Sequence, residues 1–333
     1  MRKAKLKWIL IVTILVLSAF SLVMLAGCGN SNQNTAQAPA KKYPEKTITM
    51  LVWSAPGSAL DIFGRTMAGI LEKSLGQPVA VVNKTGGSGT QVLTELAAAS
   101  PDGYTIATAS APLIFLFARK EIPMKPDDFT YLANIDTEPS SLMVKADSPY
   151  KTFEDFIQAA KAQAGKITVA GPGSGTFNNV LAIKIANQAG VQLKWIPYKG
   201  GNQAIAALLG GHVDAVLTPP SSALAQIGNK QVQVLVVSSA KRSKYFPDVP
   251  TLKEKGINLD EGTWRGFIAP KNLPKNIEET LEKAIAKAIE TPEWKNYMEK
   301  NQQDDVMMLG DDFAKYVQDQ FKSTEAILSK LSK

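Results

Sequence analysis

Side chains that commonly carry chemistry are scarce in this chain of 333 residues, which holds a single histidine, His212, and a single cysteine, Cys28. One histidine with no histidine partner gives a metal site or a nucleophile–base pair little material. Gly-x-x-x-x-Gly-Lys-Ser/Thr, Gly-x-Gly-x-x-Gly and Gly-x-Ser-x-Gly are all absent, which argues against a phosphate loop, a dinucleotide fingerprint and a nucleophile elbow. The chain has bare turns instead. "WSAPGSALD" runs from Trp53 to Asp61, "KTGGSGT" from Lys84 to Thr90, "GPGSGT" from Gly171 to Thr176 and "YKGG" from Tyr198 to Gly201. Small residues at a strand end leave backbone N–H groups open to close approach, and a following helix adds its dipole. That is anion-binding chemistry, and it needs no catalytic side chain. No enzymatic activity, cofactor or metal is expected.

The elements around these turns follow one grammar. "KTITMLVW" is an apolar, β-branched strand leading into the first turn, and Phe63, Met67, Leu71 and Leu75 then recur at helical spacing, with Asp61 placed to cap the first turn and Gly76 to end the helix. "PVAVVN" is the next strand, "VLTELAAA" the next helix and "DGYTIATAS" the third strand, a pattern that specifies a parallel α/β sheet. It recurs in "KITVAGPGSG", "FNNVLAIKIANQAG" closed by Gly190, "VQLKWIPYKGG" and "HVDAVLTPPSSA". Pro56-Gly57 matches Pro172-Gly173, Lys84–Gly87 matches Tyr198–Gly201, and Ser110-Ala111-Pro112 matches Thr218-Pro219-Pro220. The turns are open to a bland reading as tight βα connections; their number and equivalent placement in both halves favour a site at the carboxyl ends of the strands. His212, between a helix end and a strand, reads as an exposed turn residue.

The N-terminus sets the compartment. Arg2, Lys3, Lys5 and Lys7 precede an apolar run from Trp8 to Met24, the pattern of an export signal. An uncleaved anchor is one reading. Leu25-Ala26-Gly27 before the lone Cys28 resembles a lipobox, which makes Cys28 the lipid-modified first residue of the mature chain, held at the cell membrane on the extracytoplasmic side. Residues 28–42, rich in Ser, Asn, Gln, Ala and Pro, read as a flexible tether. The net charge is +7, and the four basic residues of the signal account for over half of it, which leaves about +3 and argues against a nucleic-acid partner.

"YPEKTITMLVWSAPGSALD", "LGQPVAVVNKTGGSGT", "SPDGYTI", "IPYKGGNQAIAALLGGHVDAV", "VVSSAKRSKYFPDVPTLKEKG" and "WRGFIAPKNLPK" together resemble the successive motifs of the Bug family, the solute receptors of tripartite tricarboxylate transporters. The match runs from about Tyr43 to the C-terminal helices. It implies a type II periplasmic-binding-protein fold, two Rossmann-like lobes with a ligand cleft, and capture of a small carboxylate for a permease of one large and one small integral subunit, driven by an ion gradient.

The expected site follows from these turns and from the resemblance. Ala55, Gly57, Ser58, Ala59 and Asp61 form the first loop, where the family's Ala-Pro-Gly-Gly-Gly-x-Asp has become Ala-Pro-Gly-Ser-Ala-Leu-Asp. Gly86, Ser88, Gly89 and Thr90 form the second, and Ser110 ends the third strand. Gly173, Thr176 and Asn179 stand in the family's Gly-x-Gly-Ser-x-x-His, with Thr and Asn replacing Ser and His; Tyr198 and Gly200 form the next turn, and Thr218 stands where many relatives have Asp. Arg265 replaces a commonly aromatic or small residue and reads equally as a bidentate partner for a second carboxylate or as a surface arginine. The expected division is signal 1–27, tether 28–42, lobe 1 from 43–139 plus 241–333, and lobe 2 from 140–240. In the tail, Ile277, Leu281, Ile285 and Ile289 form one core-facing stripe and Phe313, Val317 and Phe321 another. A monomer is expected. Two functions stand, a receptor that feeds a transporter and a ligand sensor of the same fold that reports to a signalling partner.

Overall fold

The computed structural model describes residues 43–85 and 89–331. The signal, the tether, Cys28, Gly86 and Ser88 therefore lie outside the described residues. In chain order the body begins β1 (Ile48–Val52), α1 (Ala59–Leu75), β2 (Val79–Asn83), α2 (Thr90–Ala98), β3 (Thr105–Ser110), α3 (Pro112–Ala118) and β4 (Phe129–Pro139). It continues β5 (Ser141–Lys145), α4 (Phe153–Ala162), β6 (Thr168–Pro172), α5 (Phe177–Ala189), β7 (Lys194–Tyr198), α6 (Gly201–Leu209), β8 (Ala215–Thr218), α7 (Leu224–Gly228) and β9 (Val232–Val237). It ends β10 (Gly262–Pro270), α8 (Lys275–Ala288), α9 (Pro292–Lys300), β11 (Asp305–Leu309) and α10 (Gly310–Leu331).

The strands form two sheets, one ordered β11-β4-β10-β3-β1-β2 and the other β7-β6-β8-β5-β9. In the first, β1 pairs parallel with β2 and β3; in the second, β6 pairs parallel with β7 and β8. Each parallel trio is flanked by an antiparallel strand, β10 beside β3 and β5 beside β8. The repeat read from the turns is thus a repeat of strand order. The chain passes from the first sheet to the second between Pro139 and Ser141 and returns between Val237 and Gly262.

Helices cover both faces of each sheet. On α1, Phe63, Met67 and Leu71 are fully buried with Leu281 and Ile285 of α8 and Trp294 of α9, and Phe63 stacks on Phe267 with ring centroids 5.2 Å apart. Gly76 closes α1 at φ 69° and Gly190 closes α5 at φ 66°, left-handed backbone that favours glycine. The other face of the first sheet packs α2, α3 and α10, with Phe313 and Val317 buried. On the second sheet, α4 and α5 share one core and α6 covers the opposite face. Leu252, Ile257 and Leu259, after the sequence position where the chain is expected to return, pack in the core shared by α4 and α5. Among the described residues no helix is long and apolar enough to cross a membrane.

Candidate functional site

The turn after β1 is built around Asp61. Ser58, not Asp61, is the N-cap of α1: its extended backbone precedes the helix and its Oγ accepts the Asp61 N–H at 3.3 Å. Asp61 is the third residue of the helix, three past the cap, and its carboxylate folds back to accept the Gly57 N–H at 2.8 Å. Arg65 Nε donates to both carboxylate oxygens at 3.0 Å, and Asn83 Nδ2, at the end of β2, donates to Oδ1 at 2.7 Å and to Ser54 O at 2.9 Å. Asp61 is only 2% exposed. Burial alone would raise its carboxyl, but the hydrogen bonds from Arg65, Asn83 and Gly57 outweigh burial and hold it below the usual carboxylate range.

Several expected donors on this turn are already committed. The Ser58 hydroxyl donates to Ser54 Oγ at 2.6 Å, and the Ser58 N–H donates to Ala55 O. Ala59 and Leu60, the first two residues of α1, have N–H groups that no acceptor among the described residues takes. Ala55, Gly57 and Ala59 are exposed. A Cβ on Gly57 would meet nothing within 4 Å, so its φ of +80°, not crowding, is what calls for glycine. Gly89, N-cap of α2 at φ +111°, is different: a Cβ there would lie 2.6 Å from Leu113 Cδ2. Thr90 opens the same helix, and Ser110, 4% exposed, closes β3.

The expected residues of the second sheet are also tied to their own loops. The Thr176 hydroxyl donates to Pro172 O at 2.6 Å, and Asn179 Oδ1 accepts the Gly175 N–H at 2.8 Å. Gly173, at φ +51°, donates its N–H to Tyr198 O, and its carbonyl accepts from Trp195 Nε1 at 2.8 Å. Thr218 Oγ1 lies 3.3 Å from Ser222 Oγ; a Cβ on Gly201 would come within 2.6 Å of that Thr218 oxygen and 2.8 Å of Ser222 Oγ, so Gly201 lets the start of α6 approach both hydroxyls. His212 is exposed, as expected of a turn residue.

At the carboxyl ends of the parallel strands, α2, α3, α5 and α6 have neither a side-chain cap among the described residues nor an acidic residue in the first turn, and α1 is the exception, with Ser58 as cap and Asp61 in its first turn. Elsewhere α4 has a Thr152–Asp155 capping box, α9 has Thr291 and Glu293, α8 has Glu278 and α10 has Asp311 and Asp312. The positive ends of the α2, α3, α5 and α6 dipoles are left without these compensating side chains.

Arg265 is neither a surface residue nor a free carboxylate clamp. It is 13% exposed at the side chain; Nη1 donates to Asp136 Oδ2 at 2.6 Å and Nη2 to Glu138 Oε2 at 3.0 Å. On the backbone it stands opposite Ser110 of β3 on one side and Asp136 of β4 on the other. A register shift follows at Gly266, where a Cβ would sit 2.1 Å from Ala133 O. Burial pushes the fully buried Asp136 carboxyl above its usual range, against the pull of Arg265, and its Oδ1 has no hydrogen-bond partner among the described residues. Burial and Asp136 push the nearby Tyr297 hydroxyl up to about 12. Glu138 Oε1 accepts from Ser221 Oγ of the second-sheet side at 2.5 Å.

The sequence profile of the tripartite tricarboxylate transporter family receptor, TctC, matches residues 63–332. The chain belongs to this family. A UPF0065 protein of Cupriavidus necator is 36% identical over 297 residues, 89% of this chain and 90% of the relative. The structure of a TctC solute-binding protein from Polaromonas, without ligand, superposes with TM-score 0.82 at 29% identity, covering 86% of this chain and 99% of that one. MatC from Rhodopseudomonas palustris with bound malate gives 0.61 at 25% identity, covering 86% and 99%. This receptor therefore has the type II periplasmic-binding-protein fold, in a family of substrate-binding receptors. Sequence reasoning missed Ser54, Asn83 and Arg65, which hold Asp61; the i, i+4 spacing of Asp61 and Arg65 was the available signal. Asp136 and Glu138 alternate on β4 and so share a face, but nothing local points from them to Arg265.

Proposed function

We propose that this receptor is a lipid-anchored, extracytoplasmic solute-binding protein that captures a small carboxylate between two lobes and delivers it to the large and small integral subunits of a tripartite transporter. The observation that carries the reading is that α2, α3, α5 and α6, at the carboxyl edges of the parallel strands, lack both a side-chain cap and a first-turn acid among the described residues, whereas α1 is capped by Ser58 and carries Asp61. In the first sheet the Ala59 and Leu60 N–H groups are the donors left for a carboxylate. Gly173, Thr176, Asn179, Tyr198, Gly200 and Thr218 offer the opposite wall. The malate held by MatC supports a carboxylate as the ligand. Arg265, closed on Asp136 and Glu138, holds the wall in place and leaves anion contact to the backbone.

Native mass spectrometry of the protein purified from its host tests the ligand. One retained small carboxylate is the expected result; a neutral or cationic ligand overturns it. Anchoring is tested separately: Cys28→Ala should leave the chain uncleaved at this site and without lipid, and unchanged processing would remove the lipobox from the account.

A further inference from the structure

Helix α5 is built into two cores. Leu181, Ala182 and Ile185 pack in the second sheet's core, whereas Val180 is buried with Leu113, Phe117 and Leu328 on the first sheet's side, and Phe177 touches both. A polar seam runs beside it. Lys184, 8% exposed, places Nζ 2.8 Å from both oxygens of Glu261 and 2.8 Å from Ser323 Oγ of α10, so all three ammonium protons have acceptors. Ser323 in turn donates to Gln320 O. Glu261 directly precedes β10, the strand by which the chain returns to the first sheet.

The same seam joins the two crossings. Ser140 and Ser238 lie where the chain changes sheet; Ser238 N donates to Ser140 O at 2.8 Å and Ser140 N to Ser238 Oγ at 2.9 Å. Ser238 Oγ reaches Glu261 O, and Ser140 Oγ reaches Asn178 Oδ1 of α5, both at 2.5 Å. At the start of α5, Arg119 Nη2 at the end of α3 donates to Gly175 O at 2.5 Å. A buried network with its partners satisfied resists opening, because any movement across it strands desolvated polar groups. Motion between the sheets must therefore be smallest along α5. The start of α6 lies on the opposite face of the second sheet, where the described hydrogen bond to the first-sheet strands runs from Ser221 to Glu138.

We propose that α5 is the pivot about which the two sheets swing, with Lys184 the positioning residue that pins it through Glu261 and Ser323. Gly173, Thr176 and Asn179, beside the pivot, then keep nearly fixed places relative to the first sheet, and Tyr198, Gly200 and Thr218, further out, supply the closing stroke. The proposal rests on the two-lobe receptor reading, so its test uses no ligand and does not depend on which solute is bound.

Pulsed EPR distances on the full chain in detergent, in a Cys28→Ser background, give the test. One spin-label pair replaces exposed Asn187 of α5 and Lys322 of α10; the other replaces exposed Ile62 of α1 and Ala206 of α6. The α5–α10 pair should give one narrow distance peak and the α1–α6 pair a broad or split one. Lys184→Met should cost the α5–α10 pair its narrow peak, and Lys184→Arg should restore it. Where Lys184→Met fails to fold, Ser323→Ala, which removes one acceptor, carries the same test with a smaller broadening. Equal widths for the two pairs in the otherwise unaltered protein, or a narrow α5–α10 peak in the folded Lys184→Met or Ser323→Ala chain, would overturn the pivot.

Discussion

The backbone N–H of Gly57 donates to Asp61 Oδ2 across 2.8 Å. The anion that this turn holds is thus, in the first place, the protein's own carboxylate, fixed by Arg65 and Asn83 at the start of α1. Its placement accords with the favourable interaction of a negative charge with a helix N-terminus. It also divides the turn: Gly57 and the Ser58 hydroxyl serve the fold, and the N–H groups of Ala59 and Leu60 meet no acceptor among the described residues.

Replacing Ala59 by proline separates these duties. Position N1 tolerates proline, whose missing N–H has no helical partner to lose, and the extended backbone of Ser58 suits a residue before proline. Ala59→Pro should leave the melting temperature within a degree or two of the parent, yet weaken carboxylate binding by about 1.5–3 kcal/mol, one hydrogen bond to a charged group. Calorimetry with the carboxylate identified from the native protein measures it. Unchanged affinity would sink the backbone cradle.

Asp61 titrates below its usual range in the folded protein, so the native state binds fewer protons than the unfolded chain near that range. Its contribution to stability is present above about pH 4, the unfolded value, and is lost as pH falls through the lower folded value. Asp61→Asn should therefore melt below the parent at pH 7, with the gap narrowing as pH drops under about 4. A gap that stays constant down to pH 2 would show that the carboxylate charge is not what holds the turn.

Gly57 and Gly89 make a second contrast. At Gly57 a Cβ has open space and only the backbone objects, so Gly57→Ala should cost about 1–2 kcal/mol. At Gly89 the same change also drives a methyl to 2.6 Å from Leu113 Cδ2, and Gly89→Ala should melt distinctly lower than Gly57→Ala. Equal melting temperatures would count against the close packing of α2 on α3.

The fold was legible because its signals are local. Phe63, Met67 and Leu71 on one helical stripe, Gly76 and Gly190 at left-handed helix ends, and the matched Pro-Gly turns all act within a few residues, and each occupies the expected element. The site was legible only as a set of turns. Which donors remain open depends on contacts such as Asn83 with Asp61, Trp195 with Gly173 and Arg265 with Asp136, which join residues from 22 to 129 positions apart. Arg265 shows the limit most plainly: its type announces a salt bridge, but its partners lie on a strand whose alignment with β10 is set by the register shift at Gly266.

That arginine gives the last prediction. Arg265→Met removes the cation from a fully buried Asp136 whose Oδ1 has no partner among the described residues, and an unpaired buried charge should cost about 3–5 kcal/mol at neutral pH. Asp136 is raised even with Arg265 present, so without it the folded-state value rises further. A raised carboxyl binds more protons folded than unfolded, so stability falls as pH climbs from about 4 toward the folded value. Arg265→Met should thus be most damaging near neutral pH and partly recover in mild acid, and adding Asp136→Asn should flatten that slope. Melting temperatures from pH 4 to 8 for the single and double variants measure it. An Arg265→Met protein equally stable at every pH, but unable to bind its carboxylate, would instead mark Arg265 as the ligand's own partner.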